Sequence, residues 1–217
     1  MSYVPHADTA RAHKGGFVHY KFNVSPLLKE YELRNNPVVI RVNKFNEESA
    51  REFANKMAAA HNTGQKVIPI LIDSYGGQVY SLMAMIACIK AAELPVATIV
   101  EGKAMSCGAV LFSFGADGQR YMDKDATIMI HEVSSATWGK NEEIQASADE
   151  TKRLNDKILK MMAINCGKEE KFFLDEIHNR GHADWFIDAE EALSYNLATQ
   201  LRVPKIQIDL DVSIELV

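Results

Sequence analysis

Short apolar runs alternate with longer apolar segments between residues 17 and 131. A compact run rich in β-branched residues is typical of a buried strand, whereas apolar residues that recur every three or four positions indicate one face of a helix. The strands predicted in this way are residues 17–22, 37–42, 67–72 and 96–100. The predicted helices are residues 46–64, 78–92 and 105–115. Asn46 is placed to cap the first helix, and the second is so uniformly apolar that we expect it to be buried.

This alternation of strand and helix predicts an α/β domain, because strands joined through helices pair in parallel by right-handed crossovers. Pro69 removes one N–H donor from its strand and therefore requires an unpaired position there. The turn signal Asp117-Gly118 leads into residues 119–122 and 126–131, which are predicted to form a hairpin.

One long helix, residues 140–166, is predicted in the C-terminal half of the chain. Its apolar stripe is thin, especially in the first half, so the helix meets either solvent or another subunit, and the pattern favours the two equally. Shorter helices are predicted at residues 168–179 and from Asp188, whose side chain suits a helix cap.

The end of the chain has a different pattern. From Ile206 to Leu216 apolar residues occupy every second position, with acidic residues among the positions between them. This period of two predicts a strand with one apolar face that pairs with a sheet edge. Because neither a repeat nor a linker is visible, we predict a single domain over residues 1–217, with a separate N-terminal segment (1–21) and a strand-like extension (204–217).

Composition narrows the function classes. Hydrophobic residues make up 47% and charged residues 24% of the chain, as in ordinary globular proteins, and the net charge of −5 disfavours nucleic acid as a partner. The longest apolar run, Leu82 to Ile89, is far shorter than the roughly 20 residues that cross a bilayer, so no membrane span is expected. Three cysteines without CxxC spacing argue against a disulfide framework and favour the reducing cytoplasm.

Three local features carry candidate chemistry, and each also has a purely structural explanation. The Gly76-Gly77 turn before a helix exposes backbone N–H groups that suit an oxyanion, or it is an ordinary strand-to-helix turn. Ser106 lies among small residues at a helix start, where its hydroxyl is exposed, or the small residues simply allow close packing. His131 ends a β-branched strand, where a lone histidine is usually structural. All three follow strand ends, the edge at which open α/β sheets place their ligand crevices.

These segments resemble the Clp protease proteolytic-subunit family, whose hallmarks are a Gly-Gly loop, a serine in a small-residue helix start and a Met-Ile-His sequence. The resemblance covers residues 38–202, and the motifs occur in the family's order. It implies the Clp protease/crotonase-like fold, with repeated β-β-α units, a mostly parallel sheet and a long protruding helix. In the family an aspartate precedes a Phe-aliphatic-x-Ala-x-Glu-Ala helix start, and Asp184 occupies that position here. Asp188 is the competitor, but its position suits a cap.

The resemblance also implies roles for these residues. Ser106, His131 and Asp184 would form a nucleophile–base–acid triad, and the N–H groups of Gly77 and Cys107 would form the oxyanion hole. The implied activity is ATP-dependent serine endopeptidase action on unfolded polypeptides inside a homo-oligomeric ring, expected as stacked heptamers served by an AAA+ ATPase. No cofactor is implied.

Several positions depart from the family pattern. Tyr75 stands where the family usually has proline, which predicts a less rigid loop. Glu132-Val133 replaces the usual Gln-Pro, and Glu132 either raises the pKa of His131 or points to the other face of the strand. The family's N-terminal gating segment is not recognisable in residues 1–21, so this segment is divergent, and the alternating tail is not a family feature.

Two other function classes remain as alternatives. One is a catalytically weak or inactive assembly subunit of the same family. The other is a crotonase-type acyl-CoA enzyme, which uses a similar oxyanion hole but does not need a serine–histidine pair. A metal site is not expected, because Gly181 interrupts the helix that would align His178 with His182.

Overall fold

The computed structural model describes residues 36–206, together with the backbone of two short N-terminal strands. These strands, β1 (Ala10–Ala12) and β2 (Val18–Tyr20), pair antiparallel, with Arg11 opposite His19. The strand predicted at residues 17–22 is thereby confirmed in its central part, whereas β1 was not predicted. The alternating tail lies outside the described residues from position 207 onward, so its pairing stays a prediction.

The main sheet is mixed but mostly parallel, as the sequence predicted. Its strands lie in the order β3-β4-β5-β7-β8, and β6 pairs separately with β5. Every pairing is parallel except that of β7 with β8. The strands are β3 (Ile40–Val42), β4 (Ile68–Ser74), β5 (Val96–Met105), β6 (Arg120–Met122), β7 (Thr127–Ile130) and β8 (Trp185–Ile187).

Pro69 lies where its missing donor costs nothing. The Ile68 N–H donates to Pro95 O at 2.9 Å on the β5 side, so the next backbone nitrogen, that of Pro69, faces the β3 side. Pairing with β3 begins only at Ile70, opposite Ile40. The unpaired position that the proline required is therefore present.

The predicted hairpin at residues 119–131 is wrong. Strand β6 pairs with the first half of β5 and β7 with its second half, both in parallel, so the two strands lie one after the other along the same edge. Between them Asp123 forms a local turn, in which its Oδ1 accepts from the Asp125 N–H and its carbonyl accepts from the Ala126 N–H. The chain therefore keeps the same direction through this turn instead of reversing as it would in a hairpin. Strand β5 is long enough, at ten residues, to pair with both strands.

Six helices surround the sheet among the described residues. They are α1 (Glu47–Ala60), α2 (Val79–Lys90), α3 (Cys107–Phe112), α4 (Asn141–Asn165), α5 (Phe172–Asn179) and α6 (Ala189–Ser194). The Asn46 side chain caps α1 by accepting from the Ser49 N–H at 2.8 Å, as predicted. No helix in the described part of the chain is both long and apolar enough to cross a membrane.

Helix α2 is buried on one face only, which corrects the prediction that all of it lies in the core. Leu82, Met85 and Ile86 pack into the core, whereas the opposite face, with Tyr80 and Ala84, is exposed. That face combines Tyr80 with small alanines, all of them apolar by composition, so composition alone did not separate the two faces. Helix α3 is shorter than predicted, because β5 continues through Met105 into the segment that was predicted as helix.

The long helix α4 has two unlike halves. Its buried side chains, which include Leu154, Ile158 and Met162, all lie in the second half. The first half has no buried residue, and Ile144 there is 41% exposed. Helix α4 is therefore anchored at its C-terminal half and extends away from the domain core at its start.

A buried arginine joins the C-terminal segment to the sheet. Arg120 of β6 is only 3% exposed and donates from its guanidinium to the carbonyl oxygens of Leu197, Gly115 and Asn196, at 3.0, 3.2 and 2.9 Å. Three charge-assisted hydrogen bonds satisfy this buried cation without a carboxylate. These hydrogen bonds hold the segment after α6 against strand β6.

Candidate active site

Ser106 is the single residue between the end of β5 and the start of α3. Its backbone has φ 55° and ψ −119°, a region that a non-glycine residue occupies only under strain. The Ser106 N–H donates to Met129 O at 2.8 Å, which fixes the serine to the neighbouring strand β7. A sharp strand-to-helix turn of this kind holds a hydroxyl out at the edge of the sheet, and strain at such a turn is typical of nucleophilic serines.

The Gly76-Gly77 turn lies directly against this serine. Both glycines have positive φ, 102° and 151°. A Cβ on Gly76 would lie 2.7 Å from Ser106 Cβ, and a Cβ on Gly77 would lie 2.5 Å from the carbonyl oxygen of Phe45. Neither position therefore has room for a side chain, and the close approach of two backbones explains the glycine pair.

His131 follows β7 and faces the serine. Its Nε2 lies 2.8 Å from Ser106 Oγ, the distance of a good hydrogen bond. Because β5 and β7 are parallel neighbours, the residues just beyond their carboxyl ends meet at one edge of the sheet. The predicted proximity of these two side chains is thus present.

Asp184 reaches the same edge by a different route. It precedes β8, which runs antiparallel to β7, so the start of β8 coincides with the end of β7. Asp184 Oδ1 lies 3.4 Å from His131 Nδ1, longer than an optimal hydrogen bond, and the carboxylate is about half exposed. The competitor, Asp188, is used elsewhere: its Oδ1 accepts from the Glu191 N–H at 2.8 Å and caps α6.

Two backbone donors lie beside the serine hydroxyl. The Cys107 N–H is at the first position of α3, where a helix offers no internal acceptor. No hydrogen bond within the described residues uses the N–H of Gly77 or of Cys107. The two residues are also in contact, since Cys107 Sγ donates to Gly77 O at 3.2 Å. Burial raises the pKa of the Cys107 thiol to about 11, so this thiol is protonated near neutral pH and is a poor nucleophile.

A small recess opens next to these groups. It has a volume of about 50 Å³, and polar and apolar groups line it in similar measure. The polar side chains are Ser106, His131 and Ser134, and the aliphatic ones are Val79, Val110, Ile130, Val133, Ile158 and Leu159. Val133 and Ser134 also line an open groove of about 540 Å³ that follows α4. The site therefore combines a partly enclosed recess with an adjoining surface channel.

The model of the Clp protease family matches residues 29–204. This span includes the six helices of the described residues and the six strands of the main sheet. The chain belongs to the Clp protease family. Membership supports a serine peptidase role and agrees with the α/β fold described above.

Three relatives of this chain show similar sequence identity to it, about 30%. The chain is 29% identical over 170 residues to an ATP-dependent Clp protease proteolytic subunit 1 from Rhodopirellula baltica, covering 78% of this chain and 73% of that protein. It is 31% identical over 134 residues to the protein of that name from Salinibacter ruber, covering 62% and 56%. It is 31% identical over 138 residues to the ATP-dependent Clp protease proteolytic subunit from Streptococcus suis, covering 63% and 68%.

Tyr75 stands where the Clp protease family usually has proline, and the loop is tied down in another way. Lys103 Nζ lies 4.5 Å from the centre of the Tyr75 ring and 2.6 Å from Asp73 Oδ1. The face of an aromatic ring attracts a cation electrostatically, and this attraction is weaker here because the Tyr75 ring is 75% exposed. One lysine thus links both ends of the turn that precedes Gly76.

Glu132 also departs from the family pattern, and its side chain points away from His131. Its Oε2 lies 2.7 Å from His182 Nδ1, and its Oε1 lies 3.4 Å from His178 Nε2. The hydrogen bond from His182 lowers the pKa of the Glu132 carboxyl. The interpretation that Gly181 separates the two histidines is wrong, because their ring centroids are only 4.4 Å apart. Sequence reasoning did not group Glu132 with them.

Proposed function

We propose that this protein is a serine endopeptidase in which Ser106 is the nucleophile. The observation that carries the proposal is the 2.8 Å contact between Ser106 Oγ and His131 Nε2. A serine hydroxyl is a weak nucleophile unless a base removes its proton during attack. His131 Nε2 would accept that proton while Oγ bonds to the peptide carbonyl carbon, and Asp184 would accept a hydrogen bond from Nδ1–H and stabilise the resulting imidazolium.

The negative charge that develops on the carbonyl oxygen needs donors that are already in place. The unused N–H groups of Gly77 and Cys107 would supply them, each worth about 3 kcal/mol in the transition state. His131 would then give its proton to the departing amine, which leaves an ester between the substrate and Ser106. A water molecule, deprotonated by His131, would attack this ester and regenerate the free serine.

The shape of the site supports an extended polypeptide as the substrate. The adjoining groove along α4 is open to solvent, and a chain lying in it would present one side chain at a time to the recess beside Ser106. The recess is lined mainly by aliphatic side chains, so it favours a small apolar residue before the cleaved bond. An extended backbone requires a substrate that is unfolded at that point.

We further propose that the chain works as a homo-oligomeric ring, as stacked heptamers in the cytoplasm, and receives substrate from an AAA+ ATPase. The uncovered face of α2 and the projecting half of α4 supply surfaces for contact with other copies. All three cysteines are unpaired, which fits a reducing compartment. The relatives are named as ATP-dependent, which motivates the ATPase partner.

A fluorophosphonate probe tests the nucleophile directly, because it phosphonylates only an activated serine. We expect labelling of the native particle at Ser106, no labelling of Ser106→Ala, and unchanged labelling of the control Ser194→Ala on the exposed end of α6. Hydrolysis of a fluorogenic peptide with an apolar residue before the scissile bond should follow the same pattern. Equal labelling of Ser106→Ala and the native protein contradicts the proposal. Folded, assembled protein that neither labels nor cleaves would instead indicate an inactive assembly subunit.

A further inference from the structure

Glu132, His178 and His182 form a second cluster of polar side chains close to the proposed active site. One possible ligand atom from each lies within 4.8 Å of the other two. The carboxylate is half-buried, both imidazoles are exposed, and the planes of the two rings are tilted by 38° to each other. None of these three residues takes part in the chemical steps proposed above, although Glu132 and His178 line the groove in which the substrate is proposed to lie. We call them the His178 cluster.

The end of helix α5 explains how two histidines on either side of a glycine meet. The His182 N–H donates to Ile177 O at 3.0 Å, and the Gly181 N–H donates to His178 O at 2.9 Å. These two bonds, with Gly181 at φ 73°, form a Schellman motif that turns the chain back over the last helical turn. His182 therefore lies over His178, with the chain held in place by backbone bonds.

His182 is itself in an unusual conformation. Its φ is 61°, one of only three positive values at non-glycine positions in the described part of the chain, and another of the three is Ser106. Positive φ strains a residue that carries a β-carbon, and such strain is often found at functional sites. Here it aims Nδ1 of His182 at the Glu132 carboxylate, 2.7 Å away.

We propose that the His178 cluster is a binding site for a divalent transition-metal ion, with Zn²⁺ as the best match. Two imidazole nitrogens and one carboxylate oxygen are a ligand set that zinc uses with three protein ligands and water in the fourth position. His178 Nε2, His182 Nδ1 and one oxygen of Glu132 would be the ligands. This set suits Zn²⁺ better than Mg²⁺ or Ca²⁺, which prefer oxygen ligands only.

The distances agree with such a site after a small movement. Ligand atoms bonded to zinc at 2.0–2.2 Å in a tetrahedral arrangement lie about 3.3–3.5 Å apart. Glu132 Oε1 and His178 Nε2 are already 3.4 Å apart. Glu132 and His182 are closer, at 2.7 Å. Zn²⁺ would take the place of the proton on His182 Nδ1, water would carry that proton to Nε2 so that the imidazole stays neutral, and the two ligand atoms would separate by less than about 1 Å. Both side chains are partly exposed, and neither is held by core packing.

The site is distinct from the serine site but adjoins it on two sides. Glu132 follows His131, and His182 lies two residues before Asp184. A bound ion would therefore tie the end of β7 to the loop that leads into β8, independently of the row formed by Ser106, His131 and Asp184. The inference does not rest on the proposed peptidase activity, because binding is measured without any substrate.

Equilibrium dialysis and calorimetry with Zn²⁺ alone test the site on the full chain prepared without a histidine tag. We expect one ion per subunit. Glu132→Gln, His178→Gln and His182→Gln should each weaken binding by more than the roughly 10–100-fold typical of residues that only support a ligand. His61→Gln is the matched control, since both ring nitrogens of His61 are already in contacts, with Met57 O and with the Glu93 N–H. It should bind Zn²⁺ as the native chain does.

Co²⁺ supplies a second readout that does not depend on variants folding well. Bound by two nitrogens and one carboxylate in a four-coordinate site, it should give intense visible absorption in the native chain, and Zn²⁺ should abolish this signal. Zn²⁺ should also raise the melting temperature of the native chain and of His61→Gln, but not that of Glu132→Gln. Zn²⁺ binding that survives unchanged in His178→Gln and His182→Gln, or no binding by the native chain, would overturn the proposal. In the latter case the cluster is a hydrogen-bonded group only.

Discussion

Gly76→Ala tests whether the glycine turn positions the serine. The added Cβ would lie 2.7 Å from Ser106 Cβ, about 0.7 Å inside the 3.4 Å at which ordinary contact begins. It would also lie 3.1 Å from Met105 O, so the methyl group meets the serine and its preceding carbonyl together. Since the positions of Ser106 Cβ and Met105 O are both set by the backbone, the strain must be relieved by moving Ser106 away from His131, or by moving the turn that carries Gly77 and its N–H.

Misplacement of a reacting group by about 1 Å costs on the order of 100-fold in rate. For a shift of about 0.7 Å we expect kcat/KM for a fluorogenic peptide to fall about 10- to 100-fold, equivalent to about 1.4–2.7 kcal/mol in the activation barrier. The rate of fluorophosphonate labelling at Ser106 should fall similarly. We expect the loss mainly in kcat, because the aliphatic side chains that line the recess are not changed.

Gly118→Ala is the matched control. Gly118 also has positive φ, 73°, but a Cβ there would meet nothing within 4 Å. Both variants should lose about 1–2 kcal/mol of stability from the left-handed backbone, seen as a lower melting temperature. Only Gly76→Ala should also lose activity. Equal kcat/KM values for the two variants, both folded at the assay temperature, would refute the argument that the turn places the serine.

Three further predictions concern other parts of the chain. Asp184→Asn should lower kcat by about 100- to 10,000-fold in Michaelis–Menten kinetics, since the amide no longer holds the Nδ1–H tautomer of His131. Asp188→Asn should keep native activity, and comparable losses in both variants would exclude Asp184 from the proposed triad. Burial raises the thiol pKa of Cys107 to about 11 and of Cys166 to about 12, so below about pH 9 both are neutral in the folded and unfolded states, and above it only the unfolded state ionises. Stability measured by urea unfolding should therefore fall as pH rises from about 9 to 11, and less steeply in Cys166→Ala; an unchanged slope would contradict the buried-thiol explanation. Arg120→Met should lower the free energy of unfolding by about 3 kcal/mol or more, because three buried carbonyl oxygens lose their donor, while exposed Arg202→Met should change it by less than about 0.5 kcal/mol; a small loss at Arg120 would show that water replaces it.

Sequence periodicity predicted most strands of the main sheet and most helices around it, because each of these segments has its own pattern of apolar residues. Asn46 and Asp188 were assigned as caps from residue type and spacing alone, and both side chains bond the expected N–H groups. The strand pairing after Gly118 was not predictable in this way. A turn signal shows that the chain bends, but whether the next two strands pair with each other or in series with β5 depends on how long β5 is, which is a property of the whole sheet.

Gly77, Ser106 and His131 were singled out because they follow consecutive strand ends, and parallel strands bring such ends together. Asp184 was assigned only from the resemblance to the Clp protease family. The His178 cluster was missed for the opposite reason. Gly181 reads as a helix breaker in the sequence, yet in the structure it turns the chain back through two backbone hydrogen bonds. Glu132 joins the histidines from just beyond β7, more than 40 residues earlier in the chain, and no local pattern relates them.

The direction of β8 has a consequence for the order in which the site is completed. Ser106 and His131 follow β5 and β7, which are parallel neighbours in the main sheet. Asp184 comes more than 50 residues after His131 and precedes β8, the antiparallel strand at the edge of that sheet. A chain emerging from the ribosome would thus present its nucleophile and base well before the carboxylate. The proposed arrangement of Ser106, His131 and Asp184 would be complete only after α4 and α5 have docked. An incomplete chain would therefore carry little of the proposed peptidase activity. Under the proposed function, this order would delay peptide cleavage until the C-terminal part of the domain has folded.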